Sequence, residues 1–118
     1  MYNLFLVFLG GGLGSLARYG LAIGLKPYQT HFPWATLAAN ALACLVLGFL
    51  VVTQSKGLLS ERERLLWATG FCGGFSTFST FIADSWQPFQ GGDPFKTWLN
   101  IVLNLSICWA FFWAGTKL

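Results

Sequence analysis

The stretch 70–81 reads GFCGGFSTFSTF: adjacent Gly73 and Gly74, then Ser76, Thr77, Ser79 and Thr80 threaded between Phe75, Phe78 and Phe81. Each of the two adjacent glycines lowers helix propensity by roughly 1 kcal/mol relative to Ala. The hydroxyls behind them compete for backbone hydrogen bonds. The spacing therefore predicts a broken helix whose freed carbonyl oxygens suit a small hard cation. Beyond the break, Phe78 and Phe81 stand at i, i+3 and share one face, while Thr77 and Thr80 share another. A phenyl ring has a positive edge, so ring edges beside hydroxyl donors offer an anion a partial substitute for water. Plain lipid-facing or core packing is the other reading of the same phenylalanines.

Other polar groups fall in otherwise apolar sequence. Asn40 brings an amide with two donors into a neighbourhood of Ala and Leu. Asn100, Asn104 and Cys108 recur at i, i+4, so one helix face carries either interhelical hydrogen-bond glue or a polar track. Arg18 and Asp84 are ionisable groups within apolar stretches, where charge is costly and marks function by default. Each either snorkels to an interface, or Arg18 marks a vestibule that attracts anions. Near the centre of the apolar stretches there is no acidic residue, so a carboxylate-based proton or cation carrier lacks its main part. Cys44, Cys72 and Cys108 are far apart in the chain and lack CxxC spacing. They read as small buried hydrophobes rather than metal ligands or a disulfide.

The elements that must hold these groups are membrane helices. The chain has 118 residues, 55% hydrophobic and 9% charged, with mean hydropathy +0.60; soluble domains carry about 25% charged residues. Four apolar runs, ~3–25, ~34–53, ~65–86 and ~97–115, each reach the roughly 20 residues needed to cross a bilayer. The fold expected is all-α, a single four-helix transmembrane domain over 1–118, with the third helix broken near mid-membrane. The first run lacks the basic flank of a signal peptide and exceeds its h-region length. The net charge of +3 is scattered, not clustered, which argues against nucleic-acid binding.

Helix starts are marked by Ser60–Glu63 as a capping box, by Asp93 and Pro94, and by Pro33. Tyr2, Tyr28, Trp34, Trp86 and Trp98 fall near helix ends, as an aromatic belt requires. Gly10 and Gly14, Gly20 and Gly24, and Gly70 and Gly74 form G-x-x-x-G pairs that allow close helix approach. Gly12–Ala17 also matches a dinucleotide fingerprint, but it lies inside an apolar helix rather than after a strand. With both termini on one side, Lys56, Arg62, Arg64 and Lys117 oppose Lys26, Lys96 and Arg18, four cations against three. Lys/Arg bias normally sets orientation. So small a difference leaves two readings: a modest positive-inside preference, or insertion both ways round.

GFCGGFSTFSTF, with GGGLGSLARY in the first span and PWATLAANALACLVLG in the second, closely resembles the Fluc (CrcB-type) fluoride channels over essentially the whole chain. The resemblance implies a dual-topology antiparallel homodimer in the bilayer of the bacterial inner (plasma) membrane. It further implies two fluoride pores at the dimer interface and a central sodium ion. On the matching positions, Gly73 and Ser76 supply the sodium-binding carbonyls, Asn40 the pore amide, Phe78 and Phe81 the pore rings, and Arg18 the vestibule charge. Ser79 and Thr80 become hydroxyls of the fluoride path, and Asn100 and Asn104 join the polar track of span four. The chain departs from the family pattern at Ser76, where Thr is common, and at Asp84, where Glu is common.

The function expected is passive export of cytoplasmic fluoride, with no enzyme chemistry. A small multidrug-type proton-coupled exporter is the alternative, but it needs a glutamate in span one, which has none. A non-transporting assembly subunit is a third reading. It accounts for the G-x-x-x-G pairs and leaves the Ser/Thr-Phe motif without a task.

Overall fold

A computed structural model describes residues 1–29 and 32–118, and all regular structure among them is helical. Helix α1 spans Tyr2–Gly24 and α2 spans Trp34–Ser55, joined in part by a 3-10 turn at Lys26–Tyr28. The third span begins as α3 (Glu61–Glu63), widens into a π-helical stretch over Arg64–Cys72, and closes its first half as α4 (Gly73–Phe75). Its second half is α5 (Phe78–Gln90), and α6 covers Pro94–Thr116. Four segments are thus long and apolar enough to cross a membrane.

The helix starts follow local chemistry. Ser60 Oγ accepts from the Glu63 N–H at 3.1 Å while Glu63 Oε1 accepts from the Ser60 N–H at 3.2 Å, closing the capping box. Asp93 Oδ1 accepts from the Lys96 N–H at the head of α6, where Pro94 occupies the first turn. The third span is longer than its apolar run, Glu61–Gln90 rather than ~65–86. Pro88 removes one helical donor without ending the helix. The chain leaves it only at Gly91–Gly92, where Gly92 takes φ +87°. The π-helical stretch is not foreshadowed by residue spacing. Only the short α4 separates it from the break, and π segments are frequent at functional sites.

Two helix pairs meet backbone to backbone. A Cβ on Gly10 would collide with the Leu66 carbonyl, one on Gly14 with the Phe71 carbonyl, and one on Gly74 with the Gly11 carbonyl. The motifs at 10/14 and 70/74 therefore face each other and draw α1 against the first half of span three. Between α2 and α6, Gly48 abuts the Phe112 carbonyl and Gly115 the Leu45 carbonyl. The pair at 20/24 differs: added Cβ atoms there would meet nothing within 4 Å. A small core of Ala39, Ala43 and Phe75, flanked by Ala17, Leu21 and Phe71, sits beside the break and fixes its position.

Candidate functional site

Ser76 and Thr77 interrupt span three. Both are extended, at φ/ψ −81/159° and −152/120°. An unbroken helix would bond the Thr77 N–H to the Gly73 carbonyl, Phe78 to Gly74, Ser79 to Phe75 and Thr80 to Ser76. Side chains replace part of what is lost. Asn40 Oδ1 accepts from the Thr77 N–H at 2.7 Å, and its Nδ2 donates to the Thr77 carbonyl at 3.1 Å. Arg18 Nε donates to the Gly74 carbonyl at 3.2 Å. Thr77 Oγ1 caps α5 by accepting from the Thr80 N–H at 3.2 Å. Below the break, the Ser76 N–H and hydroxyl both bond the Cys72 carbonyl, at 3.0 and 2.7 Å.

What remains defines the chemistry. Among the described residues no group donates to the carbonyls of Gly73, Phe75 or Ser76, and none accepts from the N–H of Phe78 or Ser79. Free carbonyls end the first half-helix and free amides begin the second. Helix dipoles give these ends opposite partial charges, negative at the carbonyls and positive at the amides. One break thus sets a partly negative helix end beside a partly positive one. Irregular backbone at this position in a span demands surrounding protein or water, and Asn40 and Arg18 supply part of that protein.

A cleft of about 240 Å³ opens beside the break, lined by Asn40, Ser76, Thr77, Phe78, Phe81 and Asn104, with Cys44, Leu105 and Cys108. Five expected site residues, Asn40, Ser76, Phe78, Phe81 and Asn104, converge here. The Phe78 and Phe81 ring centroids are 5.7 Å apart with planes inclined by 54°. Phe81 is buried, whereas Phe78 is 74% exposed in the single chain. Asn40 spends one amide hydrogen on Thr77. Its second is available to the cleft.

Ser79, Thr80, Arg18 and Asn100 lie off the cleft walls. Ser79 Oγ is 3.4 Å from Thr77 Oγ1. Arg18 is joined to the break itself, and Asp84 Oδ2 accepts from Thr36 Oγ1 at 2.8 Å, tying α5 to α2. Asn100 is nearly inaccessible and donates through Nδ2 to Ser85 Oγ at 2.9 Å, while Ser85 Oγ donates to the Phe81 carbonyl. Thr97 Oγ1 adds a bond to the Ser85 carbonyl at 2.7 Å. Asn104 Nδ2 bonds both the Asn100 carbonyl, at 3.0 Å, and Asn100 Oδ1, at 2.8 Å. Its own Oδ1 is buried with no partner among the described residues. Asn100 is therefore glue between α5 and α6, and Asn104, fastened to Asn100, reaches the cleft wall.

Three participants escape a reading of residue types. Thr77 holds the centre of the break, and its place as N-cap was foreshadowed only by a Thr three residues before Thr80. Ser85 and Thr97 complete the asparagine network, for which no spacing rule exists because they sit on different helices.

A family model described as CrcB-like protein, Camphor Resistance (CrcB), matches residues 5–116. The chain belongs to the CrcB-like family. It is 43% identical over 93 residues to the "Fluoride-specific ion channel FluC" of Phocaeicola vulgatus, covering 78% of this chain and 77% of that relative. It is 38% identical over 115 residues to the protein of the same name from Methanococcus maripaludis, covering 98% of this chain and 93% of the relative. The corresponding Chlorobaculum tepidum protein is 40% identical over 119 residues, covering 100% and 94%. With helices suited to crossing a bilayer and relatives named as channels, this CrcB-like chain is a multi-pass membrane protein.

Proposed function

We propose that this chain is a fluoride-selective passive channel that lets cytoplasmic fluoride leave the cell. Its relatives are named fluoride-specific ion channels. The observation that carries the reading is the cleft at the break, where an Asn40 amide hydrogen and the Phe78 and Phe81 rings converge. Fluoride is small and holds water tightly, so a path for it must offer strong donors. Asn40, the free amides at the start of α5, and the Ser79 and Thr80 hydroxyls form that set, with ring edges beside them. Asn104 lines the path, and Asn100 holds Asn104 in place. Arg18 supplies positive charge at the vestibule. Weak-acid trapping of HF in a less acidic cytoplasm gives such a path its purpose, and no covalent chemistry is required.

The working unit is an antiparallel homodimer with two pores. The exposure of Phe78 supports this, because a second copy laid over that face would enclose the cleft. The nearly equal counts of cationic residues on the two sides support insertion both ways round. A central sodium ion fits the residues present: the Gly73 and Ser76 carbonyls accept no hydrogen bond among the described residues and are the oxygen type that hard cations take. When bound, such an ion would supply positive charge beside these carbonyls. Reconstitution into liposomes with a fluoride electrode outside tests the reading. Electrogenic fluoride efflux without matching chloride efflux is expected, and no fluoride efflux from folded dimer would refute it.

A further inference from the structure

Cys44 of α2 and Cys108 of α6 line the same cleft, beside Asn40 and Asn104. Their side chains are neighbours across the seam between α2 and α6. The helix pairing explains why residues so distant in the chain meet. Gly48 follows Cys44 by about one turn and Gly115 follows Cys108 by about two, so each glycine shares its cysteine's helix face. Those glycines are where α2 and α6 touch backbone to backbone. Sequence separation alone gave no sign that this pair lines one cleft.

We propose that Cys44 and Cys108 form a two-coordinate site for a soft, thiophilic cation in the wall of the cleft, and that its occupation closes the ion path. Thiolate sulfur favours soft metals over hard ones. With a soft divalent cation such as Hg2+, each sulfur gains a bond to the metal as it loses its proton. Two thiols and one cation become a neutral bis-thiolate, and two protons leave for water. Neutrality matters here, since an uncompensated charge is costly among apolar side chains. Zinc in a structural site asks for four protein ligands, and among the described residues no group of three or more His, Cys, Asp or Glu is gathered to hold a metal. Two facing thiols suit a cation content with linear coordination. Cys72 is buried on the other flank of Cys44, where the two line a separate cavity of about 150 Å³. It provides the control.

Binding stands on the thiol geometry alone; only closure of the path rests on the proposed fluoride function. The test uses reduced full-length protein in liposomes, treated with mercuric chloride and washed with a monothiol that strips singly bonded mercury. Intact mass should show one mercury per chain retained by wild type and Cys72→Ala, and none by Cys44→Ala or Cys108→Ala. In wild type, which needs no variant to fold, mercury should protect Cys44 and Cys108 together from alkylation. Fluoride efflux should fall by about tenfold or more with the cleft filled, measured against the same liposomes before treatment, and recover with a dithiol chelator. Mercury stripped from wild type as readily as from the single variants overturns the site. Retained mercury with undiminished fluoride efflux overturns closure and removes the fluoride path from this cleft. Untreated wild type without fluoride efflux overturns the proposed function instead, while mercury retention still decides the site.

Discussion

The carboxamide of Asn40 clasps the peptide of Thr77 from both sides, accepting from its N–H at 2.7 Å and donating to its carbonyl at 3.1 Å. A residue of α2 thereby takes the N–H that would otherwise close the helix onto the Gly73 carbonyl. The break is held by a side chain as well as permitted by glycines. One amide hydrogen still remains for the cleft.

Asn40 should therefore be unusually intolerant. Asn40→Leu leaves the Thr77 N–H and carbonyl unpaired and should cost about 2–4 kcal/mol, since buried polar groups without partners are expensive. Asn40→Asp keeps an acceptor for the Thr77 N–H but loses both donors, so fluoride efflux should vanish even if the fold survives. Thermal unfolding in detergent and electrode-monitored efflux check the two outcomes. Wild-type efflux in Asn40→Asp would remove the amide donor from the path.

Thr77 caps α5 through its hydroxyl. Thr77→Val should destabilise by about 1 kcal/mol, the ordinary worth of an N-cap, and should lower efflux by disturbing the first turn. Thr77→Ser restores the oxygen and should recover both. Parallel unfolding midpoints and efflux rates for the pair provide the measurement.

Phe78 and Phe81 have the same chemistry and different surroundings. Phe78→Ile should leave the stability of the monomer nearly unchanged because the ring is exposed in the single chain. Phe81→Ile, at a buried position, should cost about 1–3 kcal/mol. Both should reduce fluoride efflux while gel filtration still shows assembled protein. Unaltered efflux in both variants would mean that ring edges play no part.

Gly14→Ala and Gly74→Ala each place a Cβ against opposing backbone, which cannot retreat as a side chain can. Either should separate α1 from the first half of span three and yield aggregated or unfolded protein in gel filtration. Gly12→Ala, where a Cβ would meet nothing within 4 Å, should behave as wild type. Equal behaviour of all three would show that close approach is not what these glycines provide.

Much of this architecture is legible in residue order because it depends on local rules. Bilayer thickness converts apolar length into helices. Ser60–Glu63 and Asp93–Pro94 start helices through contacts within one turn, and Gly73–Gly74 before a Ser/Thr cluster weakens one. The family likewise followed from a local string of residues, and the matches over the whole chain bear it out.

Tertiary structure alone decided which groups meet at the break. Asn40 and Thr77 lie 37 positions apart, and Arg18 and Gly74 lie 56 apart. No local rule couples positions that distant. Glycine contacts between helices set the approach, and that approach decided that Asn104, Cys44 and Cys108 line one cleft. Hydrogen-bond partners depend on distances of a few tenths of an ångström, and only packed helices fix those.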